Sequence, residues 1–472
     1  MFNKIALSFY DVSWDGQAYH LEAIIKMSEG WNPFYETLNN SLKVDNIFIN
    51  HYPRGAWFAS FSLYALTGKI EGIKVFNYLW FIIAFGFCFV LLHQYLKFNF
   101  LLSFFIGLLT VTNPVWIYQS TSNYVDGQVA MALTTIIVLS GLLFYSSNNI
   151  YTILLAVLIS VSVNLKFTMP FYDFILLAGA VILFFYHKNY SAIKKILITT
   201  VSGFVFGIAV IGFSPYITNT IYHNNPIYPI ADKSQDDINL SIENSIAPVS
   251  FKNMNRVEKS FASTFSKGIW SRTPNDNVLK IPGTFSDDEL LNYARADADM
   301  EGFGPFFSLV FLLSVFAMQF IYRGDKKIFS SLLIVIVFII ASVFLSEVGW
   351  LSRYAPQFYL VVVFILISLS LIKKPIAKYL SIVCFSILLI NDFAVGNFYY
   401  TRQRTYSDEL GKSLKELSIK NKVVRVYFGR YESNRARFRE NGIKFSVVKS
   451  LTELDTTTIQ FLPRLNHNVA TD

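Results

Sequence analysis

A chain of 472 residues that is 53% hydrophobic, 17% aromatic and only 15% charged carries more apolar surface than one soluble core can hide, so it belongs in a bilayer. The formal net charge of +8 does not mark a nucleic-acid binder, because the basic residues gather in short connections between apolar stretches instead of forming a stripe. The two cysteines, Cys88 and Cys384, each lie inside an apolar stretch and supply neither a disulfide framework nor a thiolate metal site.

Residues 1–72 read as a first outer segment with interfacial helices. Ile5 to Tyr10 fits the outer end of a spanning helix whose remainder lies upstream. Trp14-Asp15-Gly16-Gln17-Ala18-Tyr19-His20-Leu21 then opens an amphipathic stretch running through Ile24, Ile25 and Met27. Asp15 therefore falls at a helix N-terminus, where the dipole favours the anionic carboxylate and suits it to act as a base or a metal ligand. The competing reading is an N-cap or an Asp-Gly turn. Asp11, four residues earlier, either assists Asp15 or is solvated, and Tyr19 and His20 read as pocket residues that pack and hydrogen-bond, with a reacting His20 as the lesser reading. Asn50-His51-Tyr52-Pro53-Arg54-Gly55-Ala56-Trp57 leads into an apolar stretch ending at Thr67-Gly68, too short to cross and so interfacial. His51 joins the expected pocket, and Arg54 either meets a phosphate or anchors the interfacial helix.

Ten stretches long enough to cross roughly 30 Å of hydrocarbon follow, at approximately 73–92, 98–117, 129–146, 150–165, 168–186, 195–217, 304–321, 328–346, 352–372 and 376–395. The expected fold is an α-helical polytopic membrane protein of about 10–11 transmembrane helices, with six in 73–217 and four in 304–395. Alternate connections carry Lys97, then Lys188, Lys194 and Lys195, then Arg323, Lys326 and Lys327, then Lys373, Lys374 and Lys378. The opposite short connections hold only Lys166 and Arg353, so the first set is read as cytoplasmic. The first segment, the loop around Asp126, the long connection 218–303 and the loop ending in Arg353 then share the outer face of a cytoplasmic membrane. The long connection has eight Lys or Arg against twelve Asp or Glu, a balance that fits an exported and partly folded segment.

Asn123-Tyr124-Val125-Asp126-Gly127-Gln128 repeats the Asp-Gly-Gln triplet in front of a helix. Asp126 is read as a helix cap by default, or as a second acid that binds a metal or orients an acceptor hydroxyl. Lys166 lies in a short outer connection, and Asp173, slightly inside a span, is expected to pair with it. Asn225-Pro226-Ile227-Tyr228-Pro229 reads as a rigid turn. In Trp350-Leu351-Ser352-Arg353-Tyr354-Ala355-Pro356, Arg353 sits where an unpaired guanidinium is costly and a phosphate would neutralise it, with snorkelling to headgroups as the other reading. From 396 to 472 the pattern changes: Val423 to Phe428 is strand-like, Glu432 to Asn441 helical and Ile443 to Val448 strand-like, which reads as a small α/β domain. Span parity places it outside, although Arg402 and Arg404 argue the other way. No Walker-type glycine loop, His-Glu-x-x-His or Gly-x-Ser-x-Gly occurs, so nucleotide hydrolysis, zinc proteolysis and ordinary hydrolase chemistry lose support.

In order and spacing, the Asp15 to His20 segment, His51-Tyr52-Pro53 with its apolar follow-on to Gly68, the Tyr124 to Asp126 loop and Arg353-Tyr354-Ala355-Pro356 resemble the GT-C type membrane glycosyltransferases. The likeness is to the protein O-mannosyltransferase group that includes the lipid A aminoarabinose transferases, and it spans most of residues 10–372. It implies a sugar donor on a polyprenyl phosphate, Asp15 as catalytic base and Arg353 as a donor-phosphate contact. From their own positions Lys166 and Arg54 are further phosphate candidates, and Tyr354 joins the expected pocket. Two departures stand out: the family's first transmembrane helix has no counterpart here, and Asp15-Gly16 replaces the acidic pair of some relatives.

The expected function is transfer of a sugar from that lipid to an acceptor hydroxyl of a glycan, lipid or protein on the outer face of a bacterial inner membrane, with inversion. Asp126 and Asp11 serve as second acids. No metal ligand set is assigned, and a divalent cation is left open as a cofactor. The alternatives are a surface-polysaccharide polymerase or ligase, and a lipid-linked sugar transporter or flippase. A transporter should place charges deep in its spans, whereas most ionisable residues here lie at the edges.

Overall fold

The computed structural model describes residues 2–39, 45–146, 148–230, 247–268, 279–298, 300–420, 422–465 and 469–472. Each of the ten apolar stretches folds as helix. Seven helices are long and apolar enough to cross a membrane: Ile70–Tyr95, Asp126–Tyr145, Met169–Tyr186, Tyr190–Ile211, Phe307–Gly324, Lys326–Leu345 and Pro375–Ile419. Three shorter apolar helices, Phe100–Val111, Asn149–Ser162 and Pro356–Ser370, account for the remaining stretches. Asp126–Tyr145 is buried over 83% of its length against 28% for Lys326–Leu345, so the first is the central strut of the bundle and the second presents its apolar side outward. Around that strut pack Val75–Val90, Met169–Tyr186 and Asn149–Ser162, while Lys326–Leu345 lies against Met169–Tyr186.

Where polar and Pro residues interrupt an apolar run, the helix stops short of the length its hydropathy suggests. The stretch 98–117 is one such case. Phe100–Val111 ends, the Asn113 side chain accepts a hydrogen bond from Val115 N at 3.0 Å, and Pro114 opens the separate helix Pro114–Gln119. Asn113 Nδ2 also donates to Pro356 O at 2.8 Å, which ties this break to the one preceding Tyr359–Ser370. Both breaks leave irregular chain at the same end of the bundle, and that chain builds the site. Within the long connection, Arg256–Thr264 and Asp287–Leu290 are helical, whereas its residues 231–246 and 269–278 lie outside those described.

Pro375–Ile419 runs without interruption through residue 396, where the composition changes. At 45 residues it is about 67 Å long, twice the hydrocarbon thickness. Beyond the apolar part, its buried residues Val395, Tyr399, Gln403, Ser407, Leu410, Leu414 and Leu417 recur every three or four positions, an amphipathic face that keeps the helix going. It leads into a four-stranded sheet, order β2-β1-β4-β3, in which β1 (Val424–Tyr427) pairs parallel with β2 (Phe445–Val447) and antiparallel with β4 (Ala470–Thr471). The β3 strand (Gln460–Phe461) closes the far edge against β4, and the helix Asn434–Glu440 connects β1 to β2.

This C-terminal unit is fastened to the first segment of the chain by buried charge. Arg437 donates to Glu71 Oε1 at 2.8 Å and to Asp11 O at 2.6 Å, and Lys74 bonds the same Glu71 and Phe9 O. Arg435 reaches Glu22 at 2.6 Å and Glu29 at 2.8 Å, and Arg430 holds Asp45 at 2.5 Å. Glu71 thus neutralises two buried cations. Replacing it by Ala strands both, an uncompensated burial that costs about 3–5 kcal/mol. The purified E71A protein should melt well below the parent in detergent, and an unchanged midpoint would show that the network contributes nothing.

Candidate active site

Four side chains from four separate breaks meet at one end of the bundle. Arg353 Nη1 lies 3.4 Å from Asp15 Oδ2 and 4.0 Å from Asp126 Oδ2, and Lys166 Nζ lies 2.5 Å from Asp126 Oδ1. The charges alternate along the row: Asp15, Arg353, Asp126, Lys166. Tyr354 sits against both cations, its ring centroid 3.8 Å from Lys166 Nζ and 4.9 Å from Arg353 Cζ, and Tyr124 flanks Arg353 at 5.6 Å. The Asp15 side chain keeps 25% of its surface exposed, against 3% for Asp126, 8% for Arg353 and 10% for Lys166. Asp15 is therefore the acid of the row that an incoming molecule can touch.

Neither acid caps a helix. Asp15 precedes the π-turn Gly16–His20 with helical backbone angles and no capping bond, and Asp126 is already the first residue of its helix, after Val125. The capping reading of Asp126 is thus corrected: its carboxylate is held by Lys166 and by Gln119 Nε2 at 3.1 Å. The two triplets share a division of labour. In each the Gly permits close packing, since a Cβ at Gly16 would overlap the Asp11 carboxylate and one at Gly127 would sit 3.3 Å from Trp116 Cα. In each the Gln anchors the turn. Ser433 and Asn434 of the C-terminal unit bond Gln17 at 2.7 and 3.1 Å, and Gln128 donates to Asn77 Oδ1 at 2.9 Å.

Burial raises the Asp15 carboxyl above its ordinary range; the Arg353 guanidinium opposes this, while the charges of Asp297 and Asp126 add to it. A carboxylate so raised is a stronger base than a solvated one. Burial acts against the charge of Arg353, but Tyr354, Tyr124, Asp15 and Asp126 outweigh it and keep the guanidinium protonated.

Of the other expected site residues, Tyr19 stays at the row with its side chain against Asp15 and His20 lies beside it, while the rest fall elsewhere. Tyr19 and His20 form an aromatic layer with Tyr52, Trp57 and Tyr124. Trp57 Nε1 donates to His20 Nδ1 at 2.8 Å and burial lowers the imidazole to about 3, so His20 is neutral and structural in character. His51 accompanies Asn219 at 2.8 Å and packs on His223 and Tyr228, away from the charge row. Arg54 is likewise not brought to the row. It donates to Pro33 O at 2.6 Å, Ser214 Oγ at 2.5 Å and Asn50 O, and burial lowers it to about 10. Its guanidinium is spent on backbone carbonyls that close the irregular turns around it, a use that hydropathy does not reveal. Asp11 accepts from Ser13 N at 2.9 Å and Asn123 Nδ2 at 2.7 Å, joining the first segment to the Asp126 loop instead of facing outward. Asp173 does not pair with Lys166; it is bonded by Ser162, because Lys166 is drawn to Asp126.

Two functional candidates escaped the sequence. Gln119 was hidden in an apolar stretch, yet its amide bonds Asp126, Gly127 N at 2.8 Å and Ala296 O at 2.9 Å. Asp297, whose charge is felt at Asp15 and Tyr124, stands in an acid-rich stretch that looks like solvated loop. Its only signal is the company it keeps in space. Among the described residues no three of His, Cys, Asp and Glu are grouped to hold a metal ion.

No family model matches the chain, and no curated protein matches its sequence. Among solved structures the fold is similar to that of ArnT from Cupriavidus metallidurans in the apo state, with a TM-score of 0.52 at 10% identity over 99% of this chain and 85% of that one. The same protein bound to undecaprenyl phosphate gives a TM-score of 0.51 at 11% identity over 95% and 84% of the two chains. The architecture is thus ArnT-like along nearly its whole length: helical and multi-pass in character, with a small C-terminal sheet.

Proposed function

We propose that the chain is a membrane glycosyltransferase that moves a sugar from a polyprenyl-phosphate donor to an acceptor hydroxyl, acting on the outer face of a bacterial cytoplasmic membrane. The observation that carries this reading is an accessible carboxylate, Asp15, 3.4 Å from the buried Arg353, with a second buried cation, Lys166, held one acid further on by Asp126. The ArnT-like fold and the undecaprenyl phosphate held by that neighbour support the choice of lipid carrier.

In the proposed step the acceptor oxygen attacks the anomeric carbon as its proton passes to Asp15 Oδ. The bond from the anomeric carbon to the phosphate oxygen breaks, and its electron pair leaves with the lipid phosphate. Arg353 and Lys166 stabilise the charge that grows on the departing phosphate, a task suited to preorganised donors in a site of low water content. Asp126 holds both cations and serves as a positioning residue, itself held by Gln119. One displacement inverts the anomeric carbon. With two side-chain cations beside the phosphate, the scheme runs without assigning a step to a divalent cation.

The test is to incubate the reconstituted protein with a set of undecaprenyl-phosphate sugars and follow sugar loss, product configuration and pH dependence. The expected product has the opposite anomeric configuration to the donor. Because the base works deprotonated and its pKa is raised, the rate should fall as the pH drops through a value above the ordinary carboxylate range. Retention of configuration, or no consumption of any donor, would refute the reading.

A further inference from the structure

A polar cavity of about 370 Å³ opens beside the charge row, between the Asp11–Trp14 strand of chain, the loop 294–297, the extramembrane part of Pro375–Ile419 and the C-terminal unit. Its wall includes Ser13, Trp14, Asp297, Tyr399, Tyr406 and Arg464. Two half-buried rings, Trp14 and Tyr406, each with an arginine over one face, stand there among hydrogen-bonding groups, and Tyr399 is buried behind them, unlike the apolar cavity of about 210 Å³ lined by Phe261, Phe307 and Trp350. The charged groups on the wall, Asp11, Arg295, Asp297 and Arg464, are not equivalent. Asp11 is engaged by Ser13 and Asn123, and Arg464 lies over Tyr406 at 4.3 Å while pairing with Glu409 at 2.6 Å. Asp297 has no hydrogen-bond or salt-bridge partner among the described residues.

The cavity is coupled to the reacting centre by two short routes. Trp14 immediately precedes Asp15, and Ala296 O, next to Asp297, accepts from the Gln119 amide that holds Asp126. A ligand in the cavity therefore touches Trp14, the residue that precedes the proposed base in the chain. Its chemistry follows from the lining: aromatic faces take the C–H faces of a sugar ring, and an unpartnered carboxylate accepts hydroxyl protons. We infer that this cavity is the acceptor site, that it takes a hydroxyl-rich saccharide unit, and that Asp297 is the positioning residue that orients the acceptor hydroxyl toward Asp15.

This inference rests on the transferase reading and names its acceptor class. It is tested on the full chain in lipid nanodiscs with diazirine-tagged di- and trisaccharides of neutral hexoses and N-acetylhexosamines, mapping the labelled peptides, and with undecaprenyl phosphate binding measured on the same samples. Labelling should map to 11–14, 294–297 or 399–406, and fall about fivefold or more in both Asp297→Asn and Tyr406→Ala, the loss expected for one ligand hydrogen bond or one stacking face. Tyr406→Phe should retain it, and undecaprenyl phosphate should bind all three variants as it binds the parent. In a turnover assay Asp297→Asn should also move the acid limb of the pH profile downward, because a negative charge near Asp15 is removed; a merely structural role would leave that limb in place. Absent labelling, labelling elsewhere, or labelling indifferent to both variants would overturn the acceptor site even with lipid binding intact. Loss of lipid binding by the parent with saccharide labelling preserved would instead overturn the donor reading.

Discussion

On the proposed mechanism, Asp15→Asn should lower the transfer rate about 10²–10⁴-fold, the usual contribution of a positioned general base, while undecaprenyl phosphate binding should be retained. The substitution keeps the shape of the side chain and the environment of Gly16 and Gln17, so the docking of the C-terminal unit through Ser433 and Asn434 is retained. What it removes is the lone pair that accepts the acceptor proton and one negative partner of Arg353. With that partner neutral, Arg353 meets a phosphate with less competition, and lipid affinity should hold or rise. Asp15→Glu, which restores a carboxylate on a longer stem, should recover a small part of the rate. A D15N enzyme with full turnover would remove the base from Asp15 and with it the proposed mechanism.

Arg353→Gln should cost about 10²–10³-fold in kcat/KM, the loss that follows removal of one preorganised donor from a developing anion, and it should also weaken undecaprenyl phosphate binding. The variant carries a second signature. Arg353 opposes the burial that raises Asp15, so without it the Asp15 pKa climbs further and the acid limb of the rate profile shifts upward. That shift is opposite in sign to the one expected for Asp297→Asn, so the two variants separate by direction as well as by size. Arg353→Lys retains charge but not the planar fork that spans Asp15 and Asp126, and partial activity is expected. An R353Q protein with normal lipid affinity and an unmoved limb would show that Arg353 is an anchor in the interface and nothing more.

The helices were legible because each answers to a local rule. All ten apolar stretches contain helix, seven of them long enough to cross, and the break at Asn113-Pro114 was missed because hydropathy averages over a capping residue and a proline. The sheet unit was readable from the alternation in Val424–Tyr427 and Phe445–Val447, but its attachment to Glu22, Glu29 and Glu71 was not, since ion pairs hundreds of residues apart leave no periodic trace. Residue type told which groups were able to do chemistry at a membrane edge: Asp15, Asp126, Lys166 and Arg353 all stood out as charges beside apolar runs. It did not tell which would pair.

The sequence by itself determined the membrane class, the helical spans and the short list of edge charges, because hydropathy, helix propensity and turn chemistry act over neighbouring residues. Only the tertiary structure decided that Lys166 goes to Asp126 and not to Asp173, that Arg54 and His51 stand apart, and that Gln119 and Asp297 belong with the acids. Those outcomes depend on desolvation and on a few ångströms of separation between segments far apart in the chain. Both are set by packing the whole bundle at once.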